Sequence, residues 1–220
     1  MLARSEFQEL LDDLHRIRPG CRLIAVSKGQ SPEKIRDLYQ LGQREFGENY
    51  LQELEGKAAE LADLKDLRWI FIGQLQSNKI QKIVRIASEI QTAANEKHLQ
   101  YIDRWAREVG KVPFPVFIEV NAADEASKGG VASCDLGALA ALAGSLPGIS
   151  LQGLMVIPPA EVQDQVYYLA GKSPPELFQK IRLLADATGM GRLSMGMSAD
   201  YRTALAAGSD CVRIGRSLFF

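Results

Sequence analysis

Leu23-Ile24-Ala25-Val26-Ser27-Lys28-Gly29-Gln30 reads LIAVSKGQ. Its apolar, strand-forming opening leaves no position for a wet face; a hydroxyl, a lysine and a glycine then follow. A short run apolar on both faces marks a strand covered on both sides, as in parallel sheets packed between helices. The lysine has two readings. Either the strand stops and its ammonium points into water, or the ammonium is what the strand presents.

The pattern recurs along the chain. After strand 22–27, Ser31-Pro32-Glu33 supplies an N-cap, a proline at the first helical position and an acid in the first turn, so a helix runs to Leu41. Strands follow at 44–47, 68–73, 89–93, 114–121, 149–157, 191–195 and 211–215. Helices fall between them: LQELEGKAAELA, a helix capped by Ser77 with Ile80, Ile83, Val84 and Ala87 at helical spacing, then 95–109, 133–145, one begun by Ser173-Pro174-Pro175-Glu176, and 199–207. Strands alternating with helices mean a parallel sheet under helices. Eight such units in 220 residues predict a single (β/α)8 barrel, an α/β fold of one domain over residues 1–220. The alternative is an open doubly wound sheet, but SKGQS after the first strand lacks the dinucleotide-binding glycine pattern.

Composition narrows the chemistry. Hydrophobic residues make up 46% and charged residues 24%, with a net charge of -1. No basic run exists, so nucleic-acid binding is not expected. The N-terminal MLARSEFQELLDDLHRIRPG is amphipathic, without the apolar centre of a signal peptide. No apolar run approaches the ~20 residues of a membrane span, and a cytoplasmic protein is expected. Cys21, Cys134 and Cys211 form no CxxC pair and read as core or near-core thiols of a reducing compartment. His15 and His98, both in predicted helices, argue against a histidine zinc site or a Ser-His-Asp triad; no metal is expected.

Barrel sites form at the C-terminal ends of strands. There the chain places Ser27-Lys28, FGENY (46–50), GQLQSNK (73–79), Val120-Asn121, MVIP (155–158), SMGMS (194–198) and Arg213-Ile214-Gly215. SMGMS is a small-residue turn before a helix, able to offer backbone N–H groups and a hydroxyl to a phosphate. Taken alone, Ser198 is equally an N-cap. SMGMS and RIGRS occupy the loops after strands seven and eight, where barrels frequently bind phosphate. A lysine at the same mouth, partly desolvated near other cations, is a nucleophilic amine. Amine and phosphate site together suggest a phosphorylated carbonyl compound held as a Schiff base: a sugar-phosphate aldehyde or pyridoxal 5′-phosphate (PLP).

AVSK, FGENYLQE, FIGQLQSNK, VNAADEASKGG, LQGLMVIPP and LSMGMSADYRTALAAGSDCVRIG occur in this order over nearly the whole chain. Together they resemble the pyridoxal phosphate homeostasis family, relatives of the alanine racemase barrel domain (fold type III). The resemblance implies PLP as cofactor, held as a Schiff base on Lys28. It places Ser194, Gly196, Met197, Ser198 and Gly215 around the phosphate, Arg213 opposite the pyridine nitrogen and Asn49 near the ring. It implies a role in PLP supply and amino/keto-acid balance without catalytic turnover. An arginine facing the ring nitrogen disfavours its protonation, which makes the ring a poorer electron sink. Only Arg216–Phe220 follow Gly215, so the second domain of the racemases is not expected. The chain departs from the family pattern at Ile70, where histidine is usual, and at Gln74 and Arg216.

The competing expectation is a PLP-dependent amino-acid racemase or lyase. A Schiff-base aldolase is supported only by a lysine and a phosphate site in one barrel. Amino acids are further expected ligands, a regulatory protein partner is left open, and a monomer is expected. Lys79, Lys82 and Arg85 read as a solvated helix side.

Overall fold

The computed structural model describes residues 4–121, 129–158 and 176–219. The expected helix start at Ser173-Pro174-Pro175 and residues 122–128 of the VNAADEASKGG motif lie outside them.

Nine strands are described: β1 Arg22–Val26, β2 Glu45–Glu48, β3 Arg68–Phe71, β4 Glu89–Ala93, β5 Phe114–Asn121, β6 Val131–Ala132, β7 Ile149–Met155, β8 Arg192–Ser194 and β9 Cys211–Ile214. They run parallel in the order β4-β3-β2-β1-β9-β8-β7-β5-β6, and β4 also pairs with β5. That pairing closes eight of them into a barrel and excludes the open-sheet alternative. β6 is a two-residue addition to the end of β5, Val120 facing Val131, too short to leave a period in the sequence.

Helices Pro32–Gln40, Leu51–Glu60, Ile80–Ile86, Glu96–Glu108, Leu136–Ser145, Glu176–Ala187 and Tyr201–Ala206 cover the barrel, and Arg4–Ile17 precedes it. Asn95 caps as its type predicts, its side chain accepting from the His98 N–H at 2.9 Å. Ser77 instead opens a 3-10 turn, Ser77–Lys79, ahead of Ile80–Ile86. The helix expected from Ser133 begins at Leu136, and the one expected over 199–207 is only Tyr201–Ala206. No described helix is long and apolar enough to cross a membrane.

Apolar side chains pack in two layers. Most lie between the strands and the helices. Inside the barrel sit Ile24, Ile70, Ile72 and Cys211, with Val26 against them. The inner positions of β1 are therefore Arg22, Ile24 and Val26, as period-two alternation requires. Gly47 makes room for this cluster, since a Cβ there would stand 2.9 Å from both Ile24 and Ile72.

The barrel floor is charged. Arg22, Glu45, Arg68 and Glu89 are each the first residue of a strand. Arg22 donates to Glu45 at 2.9 and 3.0 Å and to Glu89 at 3.0 Å, and Arg68 pairs with Glu45 at 2.9 Å.

The cysteine expectation needs one correction. Cys21 and Cys211 are buried, but Cys134 is exposed, because it lies in the turn between β6 and Leu136–Ser145. Burial pushes the Cys21 and Cys211 thiols up to about 11. An aromatic disulfide reagent at about pH 8 should therefore titrate Cys134 quickly and the other two only after denaturant is added. Rapid reaction of all three would overturn this packing.

Candidate functional site

Continuing the inner alternation of β1 brings Lys28 to the barrel mouth, in a turn whose Gly29 has φ +70°. Lys28 is exposed, so the desolvation expected from sequence is not part of its setting. Among the described residues its ammonium makes no hydrogen bond; its charge acts on Glu53.

The backbone on either side of Lys28 is tied down. Ser27, fully buried, takes its N–H to the Gly47 carbonyl at 3.0 Å and its hydroxyl to Glu48 Oε1 at 2.6 Å. Lys57 Nζ donates to the Ser27 carbonyl, to Glu48 Oε1 and to Glu53 Oε2, each at 2.7 Å. Glu53 Oε2 also accepts the Gly29 N–H at 2.8 Å. Burial raises the Glu48 carboxyl above its usual range, against the pull of Lys57 and Ser27. Glu53 is less buried; burial raises it too, but hydrogen bonds from Lys57 and Gly29 carry it below the usual range.

Arg213, on the strand next to β1 and registered with Ile24, lies buried inside the barrel. Its NH1 donates to the Ser194 carbonyl and hydroxyl and its NH2 to the Val156 carbonyl, all at 2.7 Å. Burial pulls its pKa down, and the charges of Asp200 and Glu119 oppose that pull. Burial raises both carboxyls; Arg213 acts against this at each, and at Asp200 so does the Met197 N–H. A hydrogen-bonded line runs from Arg213 to the floor. Ser194 Oγ donates to Gln91 Oε1 at 2.7 Å, Gln91 Nε2 to Glu89 Oε1 at 2.7 Å, and Glu89 meets Arg22.

Ser194 is fully buried in this line, so its hydroxyl serves Arg213 and Gln91 and not a phosphate, as had been expected. Met197 is also committed, its N–H donating to Asp200 Oδ1 at 2.5 Å. Gly196 turns the chain at φ +100°, where an added Cβ would lie 2.7 Å from Ala204. Ser198 follows, half-buried. Gly215 lies beside Val26, 3.4 Å from an added Cβ, and so borders the β1 turn. Asn49 follows β2; among the described residues its Oδ1 is buried without a hydrogen-bond partner. Its backbone carbonyl is crossed so closely by Gly73 that a Cβ there would sit 1.9 Å away. Ile70 fills the inner apolar cluster, while Gln74 is exposed beside a cavity of about 210 Å³ that Asn49 and Lys79 also line. Lys82 and Arg85 pair with Glu55 and Glu108 across helices, at 3.1 and 3.9 Å.

The structure thus gathers Lys28, Asn49, Gly196, Ser198, Arg213 and Gly215 at one end of the barrel, with Ser194 and Met197 as supports. Sequence reasoning overlooked Glu48, Lys57, Gln91, Glu119 and Asp200. Two left a signal. Lys57 sits on the helical stripe of Leu51, Leu54 and Leu61, and Gln91 alternates with Glu89 in a strand otherwise read as apolar.

The sequence model of the alanine racemase N-terminal domain matches residues 5–220. A pyridoxal phosphate homeostasis protein of Pseudomonas aeruginosa is 41% identical over 90% of this chain and 83% of its own. One of Caenorhabditis elegans is 37% identical over 90% and 85%. The structure of PipY from Synechococcus elongatus with PLP bound superposes with a TM-score of 0.84, at 33% identity and 99% of both chains. Alanine racemase from Corynebacterium glutamicum shares the fold alone, at a TM-score of 0.68 and 15% identity, over 98% of this chain and 61% of that one.

Proposed function

Because the chain belongs to the pyridoxal phosphate homeostasis protein family, within the alanine racemase N-terminal domain family, we propose that it binds PLP covalently through Lys28 and acts in PLP homeostasis and amino/keto-acid balance without catalytic turnover. The observation that carries this is the pairing of a lysine at the mouth, without a hydrogen bond among the described residues, with a buried, anchored arginine on the neighbouring strand. When bound, the group supplies an aldehyde that condenses with a lysine amine, C=N replacing C=O as one water leaves.

The residues fit such a ligand. Arg213 has five N–H donors and makes three hydrogen bonds among the described residues, leaving donors for a ring nitrogen. Asn49 Oδ1 is a buried acceptor without a partner among the described residues, suited to a ring hydroxyl. Gly196, Ser198 and Gly215 would bracket the phosphate, Gly196 and Gly215 with bare backbone. Ser194 and Met197 support the site from behind. A cationic Arg213 would resist protonation of the ring nitrogen, which disfavours carbanion chemistry. This proposal includes a single barrel domain over 1–220, a cytoplasmic location, a monomer, and amino acids or a regulatory protein as further partners.

Titration with PLP tests it. The purified protein should gain a visible absorbance band distinct from that of free PLP, and excess amino acid should shift it. Failure to take up PLP overturns the reading. The alternative is a PLP-dependent racemase or lyase, for which Glu119, half-buried and within electrostatic reach of Arg213, is an available carboxyl. In deuterated water, α-proton exchange faster than with free PLP would favour that alternative.

A further inference from the structure

Lys57 is a buried ammonium, 8% exposed, which no step above uses. A buried charge persists only where its hydrogen bonds are met. Lysine has three N–H donors, and Lys57 has three oxygen acceptors at 2.7 Å. One is the carbonyl immediately before Lys28. Another is Glu53 Oε2, which itself holds the N–H immediately after Lys28 at 2.8 Å. The third, Glu48, also holds the Ser27 hydroxyl. A single ammonium thus joins both peptide groups flanking the exposed lysine to the end of β2. Among the described residues, Lys28 itself has no hydrogen bond to orient it.

We infer that Lys57 is a positioning residue for Lys28, clamping the Ser27–Gly29 turn so that the Lys28 amine is aimed into the mouth. This rests on the reading of Lys28 as the attachment point. Lys57 does not compete for an aldehyde, since it is buried and every N–H of its ammonium is engaged. A helix lysine that only filled space would not need one acceptor on the Ser27 carbonyl and another, Glu53, that itself holds the Gly29 N–H of the same turn.

The test compares the parent chain with Lys57→Met and Glu53→Ala, using Lys111→Met as a control. Lys111 Nζ donates to the Val84, Arg85 and Ala87 carbonyls at the far end of a helix, so its loss perturbs stability but not the mouth. Hydrogen exchange, measured without PLP, should speed up about tenfold at the Gly29 amide in Lys57→Met and Glu53→Ala only. Covalent attachment of PLP, trapped with borohydride at timed intervals, should slow about tenfold in the same two variants. Affinity for pyridoxine 5′-phosphate, which has no aldehyde, should stay within about twofold of the parent, since the clamp orders the amine and not the phosphate loops. Should Lys57→Met fail to fold, Glu53→Ala carries the comparison. Attachment and Gly29 exchange at parental rates overturn the inference, as do equal losses in Lys111→Met. If the parent itself attaches no PLP, the cofactor proposal fails, and the exchange data alone decide whether Lys57 orders the turn.

Discussion

Lys28→Ala is expected to carry no borohydride-stable label after incubation with PLP, where the parent chain labels near-stoichiometrically. Two other lysines near the turn are engaged elsewhere. Lys57 is buried and fully hydrogen-bonded. Lys34 donates to the Phe219 carbonyl at 3.1 Å and to Gln30 at 3.2 Å. Noncovalent uptake should persist, weakened, because Arg213 and the glycine turns lie on other strands and do not depend on Lys28. The visible band should vanish while equilibrium dialysis still detects binding. Intact mass after reduction reads the linkage directly. A label equal to the parent's would mean that another amine carries it, and the assignment of Lys28 would fall.

Arg22→Met should be strongly destabilising. It removes the cation shared by Glu45 and Glu89, whose side chains are 13% and 3% exposed. Leaving a buried carboxylate uncompensated typically costs about 3–5 kcal/mol. For a chain of this size that lowers Tm by about 6–20 °C. Arg22→Lys should recover only part of it, because a point charge cannot engage both carboxylates with a planar fork. Thermal unfolding followed by circular dichroism decides it. A shift under about 2 °C would mean that the floor is effectively solvated. Loss of Arg22 should also loosen the line through Glu89, Gln91 and Ser194 to Arg213.

The barrel was legible because its strands announce themselves. LIAV, WIFI and VFIEV are short apolar runs separated by caps and glycines, and parallel sheets have no other way to look. Closure was inferred from the count of units, and the β4–β5 pairing bears it out. The position of Lys28 at the barrel mouth was legible from its place after the first strand. The interior of the barrel was not. A run such as EIQTA can be read as apolar on average while Glu89 and Gln91 point inward, since composition does not say which face is occupied. Ser194 misled for the same reason: it belongs to both a strand and a glycine turn, and only register decides which face its hydroxyl joins. Helix-start signals overshot at Ser133 and Ser198 because a capping residue type does not require that a helix begin at it.

β1 lies between β2 and β9, and the pairing of its neighbourhood with β9 spans almost the whole chain; Arg18 meets Asp210 across 192 positions. On a ribosome adding about 5–20 residues per second, one edge of β1 therefore stays open for about 10–40 s after its synthesis. An apolar strand with an unpaired edge is a hazard over that interval. Lys28 emerges early, yet Arg213 and Gly215 must follow before the mouth exists. A nascent chain can thus present the lysine but not the pocket. On the proposed function, loading with cofactor would therefore be an event of the finished barrel.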